Sequence, residues 1–481
     1  MEIDLYYEPC VFLEEMPREE NKSTYKSSEE SDEPSISTSM GTVEKPGWFV
    51  VQPENYSFPQ NVSEDDPPQT EEDATLLREI NKNLAELSVS ASATYSSLQT
   101  LVSSSSSLLV PSSLSATTSS LVTSFRKRDS WNASFTSVVT TLRLVGHNPL
   151  LSTLSIPTLQ LLTDQLDIPS WLPTLPPGVS STLSTHPSGE WFFPTETGLK
   201  IRKNAQPDCM RGRYILYVHG GAFCCCHTGT HRGLLHALVH QTGASVLSVN
   251  YRRPPEHPYP TPVHDCLSAY LFLLEKVGDS SQIFFAGDSA GGTLVINTLI
   301  LVAQHELPPP AGAVLLSPWV DLSDSGHCAS WQQYRDVDYL SPDLAEMFAR
   351  SYVGDSLEVQ SLSPLYSPLL HLLPPLLVEF GQCEVLHDQI LAFCEQAEQA
   401  GVDIKYTARE DMVHVFPIYN FTGMQQCQDA FDEIISFFDE ISSRHGGGDV
   451  VVGEGGDRDL KQDEAEKEEE SEAEKEDETR A

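Results

Sequence analysis

The sequence predicts an α/β fold: a mostly parallel central sheet with helices on both faces, flanked by acidic terminal segments. Three observations carry that prediction. From residue 186 onward, short apolar strand-like runs alternate with amphipathic helix-like runs, the pattern that parallel strands joined by helical crossovers require. A Gly-x-Ser-x-Gly pentapeptide stands where one such run hands over to the next. Of a formal net charge of −40 over 481 residues, roughly −15 falls in residues 1–73 and roughly −10 in 446–481, which leaves an ordinary acidic balance of about −15 for everything between.

Taken in order, residues 1–73 are rich in Glu, Ser and Pro and bury too little apolar surface to offset their ordering entropy, so they are expected to be disordered. In 74–129, Leu77, Ile80, Leu84 and Leu87 recur at heptad spacing and Leu98, Leu101 and Leu108 continue it. A helix is expected there, either in a short coiled coil or lying on the body of the protein, followed by a Ser/Thr-rich linker around Ser103–Ser107. Residues 130–445 form the predicted globular domain. Trp131–Leu144 has helical spacing, and 150–185 reads as short helices broken by Pro157, Pro169, Pro173, Pro176 and Pro177. Strands are expected at Tyr214–Val218, Ser245–Val249, Ile283–Ala286, Ala313–Leu316, Leu376–Phe380 and Ile404–Thr407. Helices are expected at Pro262–Val277, Gly291–Gln304, His387–Ala400 and Met424–Ser442. Residues 446–481, Gly-rich and then Glu/Lys-rich, read as a second solvated, disordered tail.

Composition narrows the function classes. The acidic field disfavours nucleic acid and anionic lipid as main partners. No run of eighteen apolar residues is present, so no transmembrane helix is predicted, though contact with a membrane surface stays open, as does the oligomeric state. The acidic start lacks the basic and apolar regions of a signal peptide. The ten cysteines show no CxxC pair, so neither a zinc site nor any other metal is expected, and reduced thiols in a cytoplasm fit best. No cofactor motif accompanies the chain; the expected partner is a small molecule.

The pentapeptide Gly287-Asp288-Ser289-Ala290-Gly291 follows the strand-like Ile283–Ala286 and opens a helix. A tight strand–turn–helix lifts the serine above the sheet, and flanking glycines avoid clashes that a Cβ would meet. The helix N-terminus behind it favours developing negative charge. Upstream, His219-Gly220-Gly221-Ala222-Phe223 follows a strand. A tetrahedral oxyanion needs preorganised N–H donors, and we assign Gly220, Gly221 and the Ala290 amide to that task, with His219 holding the loop.

A serine hydroxyl needs a base, and the base an orienting carboxylate. Behind an elbow of this kind the chain order is serine, acid, histidine. Of His305, His327, His371, His387, His414 and His445, only His414 lies in a short loop between a late strand and the closing helix. The acid should follow the strand near residue 380. Glu384, nearest the strand end, is preferred over Asp388, which begins the next helix where its charge suits the dipole.

With these residues in place the chain resembles the hormone-sensitive-lipase-like group of α/β-hydrolases over roughly residues 186–440. The resemblance rests on Gly189-Glu-Trp, His219-Gly-Gly-Ala-Phe, Asn250-Tyr-Arg-Arg-Pro-Pro-Glu-His-Pro-Tyr-Pro, Gly287-Asp-Ser-Ala-Gly-Gly, Ser317-Pro-Trp-Val-Asp, Ser363-Pro-Leu-Tyr-Ser-Pro, Glu384-Val-Leu-His-Asp and His414-Val-Phe, in that order. It implies an α/β-hydrolase fold with a helical cap, here residues 130–185 and about 322–362. It implies a serine hydrolase for short- to medium-chain acyl or acetyl esters, with lipid and sterol esters among the substrates of such enzymes. The position matching Glu384 is then the triad acid, usually Asp. A non-catalytic small-molecule receptor on the same fold is the alternative; receptors of that kind lack the base histidine, which is present here as His414. A scaffold whose tails recruit partners would explain the tails but not the intact set of motifs. Cys224-Cys225-Cys226, where small or polar residues are usual, departs from the pattern and reads either as packed thiols or as reactive thiols at the pocket entrance.

Overall fold

Alternating apolar and mixed segments close into one sheet of eight strands. The computed structural model describes residues 126–147, 151–164, 178–195, 212–324, 326–354 and 359–445; the heptad run and both acidic tails lie outside them. The strands are β1 (Val179–Thr185), β2 (Ser188–Pro194), β3 (Tyr214–Val218), β4 (Ser245–Val249), β5 (Ile283–Asp288), β6 (Gly312–Leu316), β7 (Leu376–Gly381) and β8 (Ile404–Arg409). Their spatial order is β1-β2-β4-β3-β5-β6-β7-β8. The pairs from β4 through β8 are parallel and β1–β2 and β2–β4 antiparallel.

The helices are α1 (Ala133–Gly146), α2 (Ile156–Asp164), α3 (Thr228–Thr242), α4 (Thr261–Val277), α5 (Ala290–Gln304), α6 (Ala329–Tyr334), α7 (Pro342–Val353), α8 (His387–Gln399) and α9 (Gln425–His445). The period-two alternation of β5 shows how they are distributed. Phe284 and Ala286 join Leu234 and Leu238 of α3 and Phe431 and Phe438 of α9 in one buried cluster. Phe285, between them, turns the other way and meets Tyr270 of α4, ring centroids 5.2 Å apart. Both faces of the sheet are thereby covered at its centre, which is why β3 to β7 read as apolar runs.

One sequence expectation is corrected, and two elements were not expected. Residues 179–185 are not part of a broken-helix cap: they form β1, an edge strand hydrogen-bonded to β2. The signal was weak because Val-Ser-Ser-Thr-Leu-Ser-Thr is largely solvent-facing and carries no apolar face to betray a strand. The strand β2 was likewise not foreseen. Helix α3 was missed as well; His231, His236 and His240 interrupt its apolar pattern, yet it starts with a cap at His227 and ends on Gly243 in the left-handed region.

The N-terminal stretch straps the region that carries the late loops. Asn132 caps α1 by accepting the Phe135 amide at 2.9 Å, while its own side-chain amide donates to the Thr422 carbonyl at 2.9 Å. Trp131 Nε1 donates to the Asp411 carbonyl at 2.7 Å. Phe135, Val139 and Arg143, one face of α1 at i, i+4 and i+8, are all buried. The insertion between β6 and β7 supplies α6 and α7.

Candidate active site

The strand–turn–helix around Ser289 has the local form its glycines dictate. Ser289 sits between β5 and α5 at φ 52°, ψ −123°. Its amide donates to the Leu316 carbonyl at 2.9 Å and its carbonyl accepts the Trp319 amide at 3.0 Å, so the end of β6 holds the turn. A Cβ on Gly291 would lie 2.1 Å from the Val218 carbonyl oxygen, and one on Gly287 2.8 Å from that of Gly291. Those contacts leave room only for glycine.

Three of the expected residues meet. His414 Nε2 lies 2.9 Å from Ser289 Oγ, and His414 Nδ1 lies 3.3 Å from Glu384 Oε1. Glu384 is fully buried, and its other oxygen, Oε2, accepts the Ser317 hydroxyl at 2.6 Å and the Gly381 amide at 2.7 Å. Burial alone would lower the His414 imidazole, but the hydrogen bond and charge of Glu384, with Asp338 and Asp288 further off, hold it above its ordinary value. Asp388 is elsewhere: it accepts the Ser330 amide at 2.8 Å, at the start of α6.

The oxyanion assignment needs one correction. The Gly220 amide donates to Asp288 Oδ1 at 2.9 Å and so is not open to a substrate. Among the described residues, no acceptor meets the amides of Gly221 and Ala222. Ala290 opens α5, where an amide has no intrahelical partner. Gly221, Ala222 and Phe223 all have positive φ, at 111°, 52° and 66°, a backbone that L-residues rarely adopt. Gly220 is needed for another reason: a Cβ there would lie 2.3 Å from Asp288 Oδ2.

Beneath that loop is a second, fully buried acid–imidazole pair. Asp288 Oδ1 accepts the Tyr217 hydroxyl at 2.6 Å and lies 3.2 Å from His231 Nε2. Burial opposes the ionised pair, yet each partner wins it back: the Asp288 carboxyl stays below and the His231 imidazole above its ordinary value. His219, which the sequence placed as a holder of the loop, is 2.8 Å from the Gly220 carbonyl through Nδ1. It stacks on Tyr251, ring centroids 4.4 Å apart, and the Tyr251 hydroxyl donates to the His219 carbonyl at 3.0 Å. Burial, then His231, keeps the His219 imidazole well below its ordinary value.

Cys224 and Cys225 are buried. Burial pushes the Cys224 thiol up to about 12 and that of Cys226 up to about 11, which favours packed thiols over reactive ones.

Two residues at the site escaped the sequence reading. Ser317, at φ 45°, donates to Glu384 and accepts the Val415 amide at 2.9 Å, so it couples the Glu384 side chain to the loop of His414. Its motif, Ser-Pro-Trp-Val-Asp, had drawn notice without a role. Asp338 had no local signal; besides Tyr339 beside it, its carboxylate meets two loops far along the chain.

The chain was compared with known proteins. The family model for the alpha/beta hydrolase fold matches residues 215–418. An acetyl-hydrolase of Streptomyces hygroscopicus is 36% identical over 246 residues, 51% of this chain and 77% of that protein. An ethyl acetate hydrolase of Pseudomonas putida is 32% identical over 230 residues, 45% of this chain and 70% of that protein. Among solved structures, an esterase from the bacterial hormone-sensitive lipase family superposes with a TM-score of 0.55 at 27% identity, covering 65% of this chain and 99% of the other. A hormone-sensitive lipase from a metagenome library gives 0.55 at 28% identity, covering 66% and 99%.

Proposed function

We propose that this chain, which belongs to the α/β-hydrolase fold family and within it to the hormone-sensitive-lipase-like group of carboxylic ester hydrolases, turns over its esters through an acyl-enzyme on Ser289. The observation that carries the proposal is the 2.9 Å approach of Ser289 Oγ to His414 Nε2, with Glu384 behind the imidazole. His414 takes the hydroxyl proton as Oγ bonds to the ester carbonyl carbon. The carbonyl oxygen becomes an oxyanion held by the amides of Gly221, Ala222 and Ala290. The intermediate collapses as His414 returns its proton to the leaving alcohol. Water, deprotonated by His414, then attacks the acyl-enzyme, and the acid and free serine are released. Each amide donor is worth about 2.7–4 kcal/mol in the transition state.

The names of the relatives, an acetyl-hydrolase and an ethyl acetate hydrolase, support small acyl groups, acetyl first, within the short- to medium-chain range. The catalytic unit in this reading is residues 130–445, with the tails outside it. A receptor reading finds no support in a serine and a histidine already at hydrogen-bonding distance. The test is Ser289→Ala: hydrolysis of p-nitrophenyl acetate is expected to disappear while the circular dichroism spectrum stays unchanged. Full turnover in that variant would remove the mechanism.

A further inference from the structure

Asp338 is a buried carboxylate that the scheme above does not use. It lies between α6 and α7, in the insertion that also supplies helical cover, and is fully buried. Its Oδ2 accepts the amide of Val385, the residue after Glu384, at 2.9 Å. Its Oδ1 accepts the amide of His414 at 3.2 Å and that of Tyr339 at 2.9 Å. The Tyr339 hydroxyl completes the grip by donating to the His414 carbonyl at 2.9 Å. From behind, Arg143 of α1 donates to the Asp338 carbonyl at 2.6 Å and to that of Arg335. One side chain therefore joins the loop of the acid to the loop of the base, and a helix from the start of the domain braces it.

We propose that Asp338 is a positioning residue for hydrolysis: its carboxylate fixes the Glu384 loop against the His414 loop and places a second negative charge beside the imidazolium that forms in each transition state. This rests on the acyl-enzyme reading. Three amides converge on its two oxygens, an arrangement that suits a carboxylate and not an amide, because Asn would turn an NH2 group against at least one N–H. The groups around it are Glu384 on the acid loop, His414 and Tyr419 on and after the base loop, and Tyr339 beside it. Around its carbonyl are Arg143 of α1 and His147, which follows α1, with Arg335 and Asp336 on its own segment. Burial lifts the Asp338 carboxyl to about 6, with His414 opposing and Glu384 adding. At neutral pH it is ionised, and it loses its charge as the pH falls through that value.

Asp338→Asn tests this with p-nitrophenyl acetate between about pH 5 and 9, active sites being counted with a fluorophosphonate probe. The expected result is a kcat lower by about 10- to 100-fold with KM nearly unchanged, since small displacements of a catalytic group cost rates of this order. The acid limb of kcat/KM should also move to lower pH, because an anion that favours protonated His414 has gone. A merely structural role would reduce the count of active sites and leave the limb in place. Wild-type kcat per active site, or an unmoved limb, overturns the proposal. Should Asp338→Asn fail to fold, Arg143→Met carries the test: it keeps the carboxylate but removes its brace. A several-fold lower kcat at unchanged KM supports the proposal, and wild-type kcat overturns it. Ser289→Ala is run alongside. Turnover there would sink the serine mechanism itself, whereas an inert Ser289→Ala beside an unaffected Asp338→Asn sinks this inference alone.

Discussion

At the scale of single residues, the proposed chemistry depends on Ser289 holding a backbone conformation that an L-residue adopts only under constraint. At φ 52°, ψ −123°, such a residue costs about 1–3 kcal/mol, which the surrounding structure must over-determine. Here the Leu316 carbonyl and Trp319 amide hold its own main chain. Glu384 and His414, the proposed acid and base, are pinned as firmly, and this fixes what their replacement should do. Glu384→Gln keeps the shape but removes the charge that orients and stabilises the imidazolium, so kcat should fall by on the order of 10³–10⁴. Asp388→Asn touches the start of α6, the first turn of α8 and the neighbouring His387, with about 1 kcal/mol of stability at stake. Steady-state kinetics of the two variants check this, and the reverse ranking would reassign the acid. The pH profile follows from His414. An imidazole held above its ordinary 6.5 is the protonated, inactive form below its pKa, so kcat/KM should fall on the acid side from a midpoint above 6.5. A midpoint below that value would mean that Glu384 is not dominating the site.

Ser289, His414 and Glu384 were legible because each stands in a short segment whose neighbours declare its place: a glycine-flanked elbow, a loop before the last helix, a strand end. Gly220 was assigned as a donor from its place in His-Gly-Gly alone. The carboxylate that takes its amide comes from Asp288, 68 residues along the chain, and no local pattern shows such a bond. Asp338 is hidden for the same reason, its partners being 47 and 76 residues away.

At the scale of elements, the buried parallel strands and the helices α4, α5, α8 and α9 follow the sequence periodicity closely, because each has one apolar face or is apolar throughout. The elements that escaped notice, β1, β2 and α3, are those whose patterns are diluted by polar or histidine residues. A tightly constrained junction joins β5 to α5, where Gly291 lets the helix approach the end of β3. In Gly291→Ala the new methyl would meet backbone rather than a yielding side chain. The helix must shift, at a cost of about 1–3 kcal/mol, and the Ala290 amide shifts with it. Thermal melts should show a lower midpoint, and kcat per folded molecule should fall more than tenfold by rough analogy with losing one oxyanion donor. An active, equally stable Gly291→Ala would contradict the packing described here.

At the scale of the whole molecule, the net charge of −40 is concentrated outside the segment that carries the chemistry. No helix among the described residues is long and apolar enough to cross a membrane. Among the described residues, the contacts that hold Ser289, Glu384 and His414 run between residues 126 and 445, and removing 1–73 and 446–481 should leave kcat/KM within about twofold. Loss of turnover in a folded truncate would show that a tail takes part. The central claim, that one serine carries the acyl group, has a direct measurement. Wild-type protein is mixed with p-nitrophenyl acetate, quenched in acid during turnover, and its peptides are weighed by mass spectrometry. An acetyl group on Ser289, absent from Ser289→Ala, is the predicted result; steady turnover with no acetyl on Ser289, or with the group on another side chain, would contradict it.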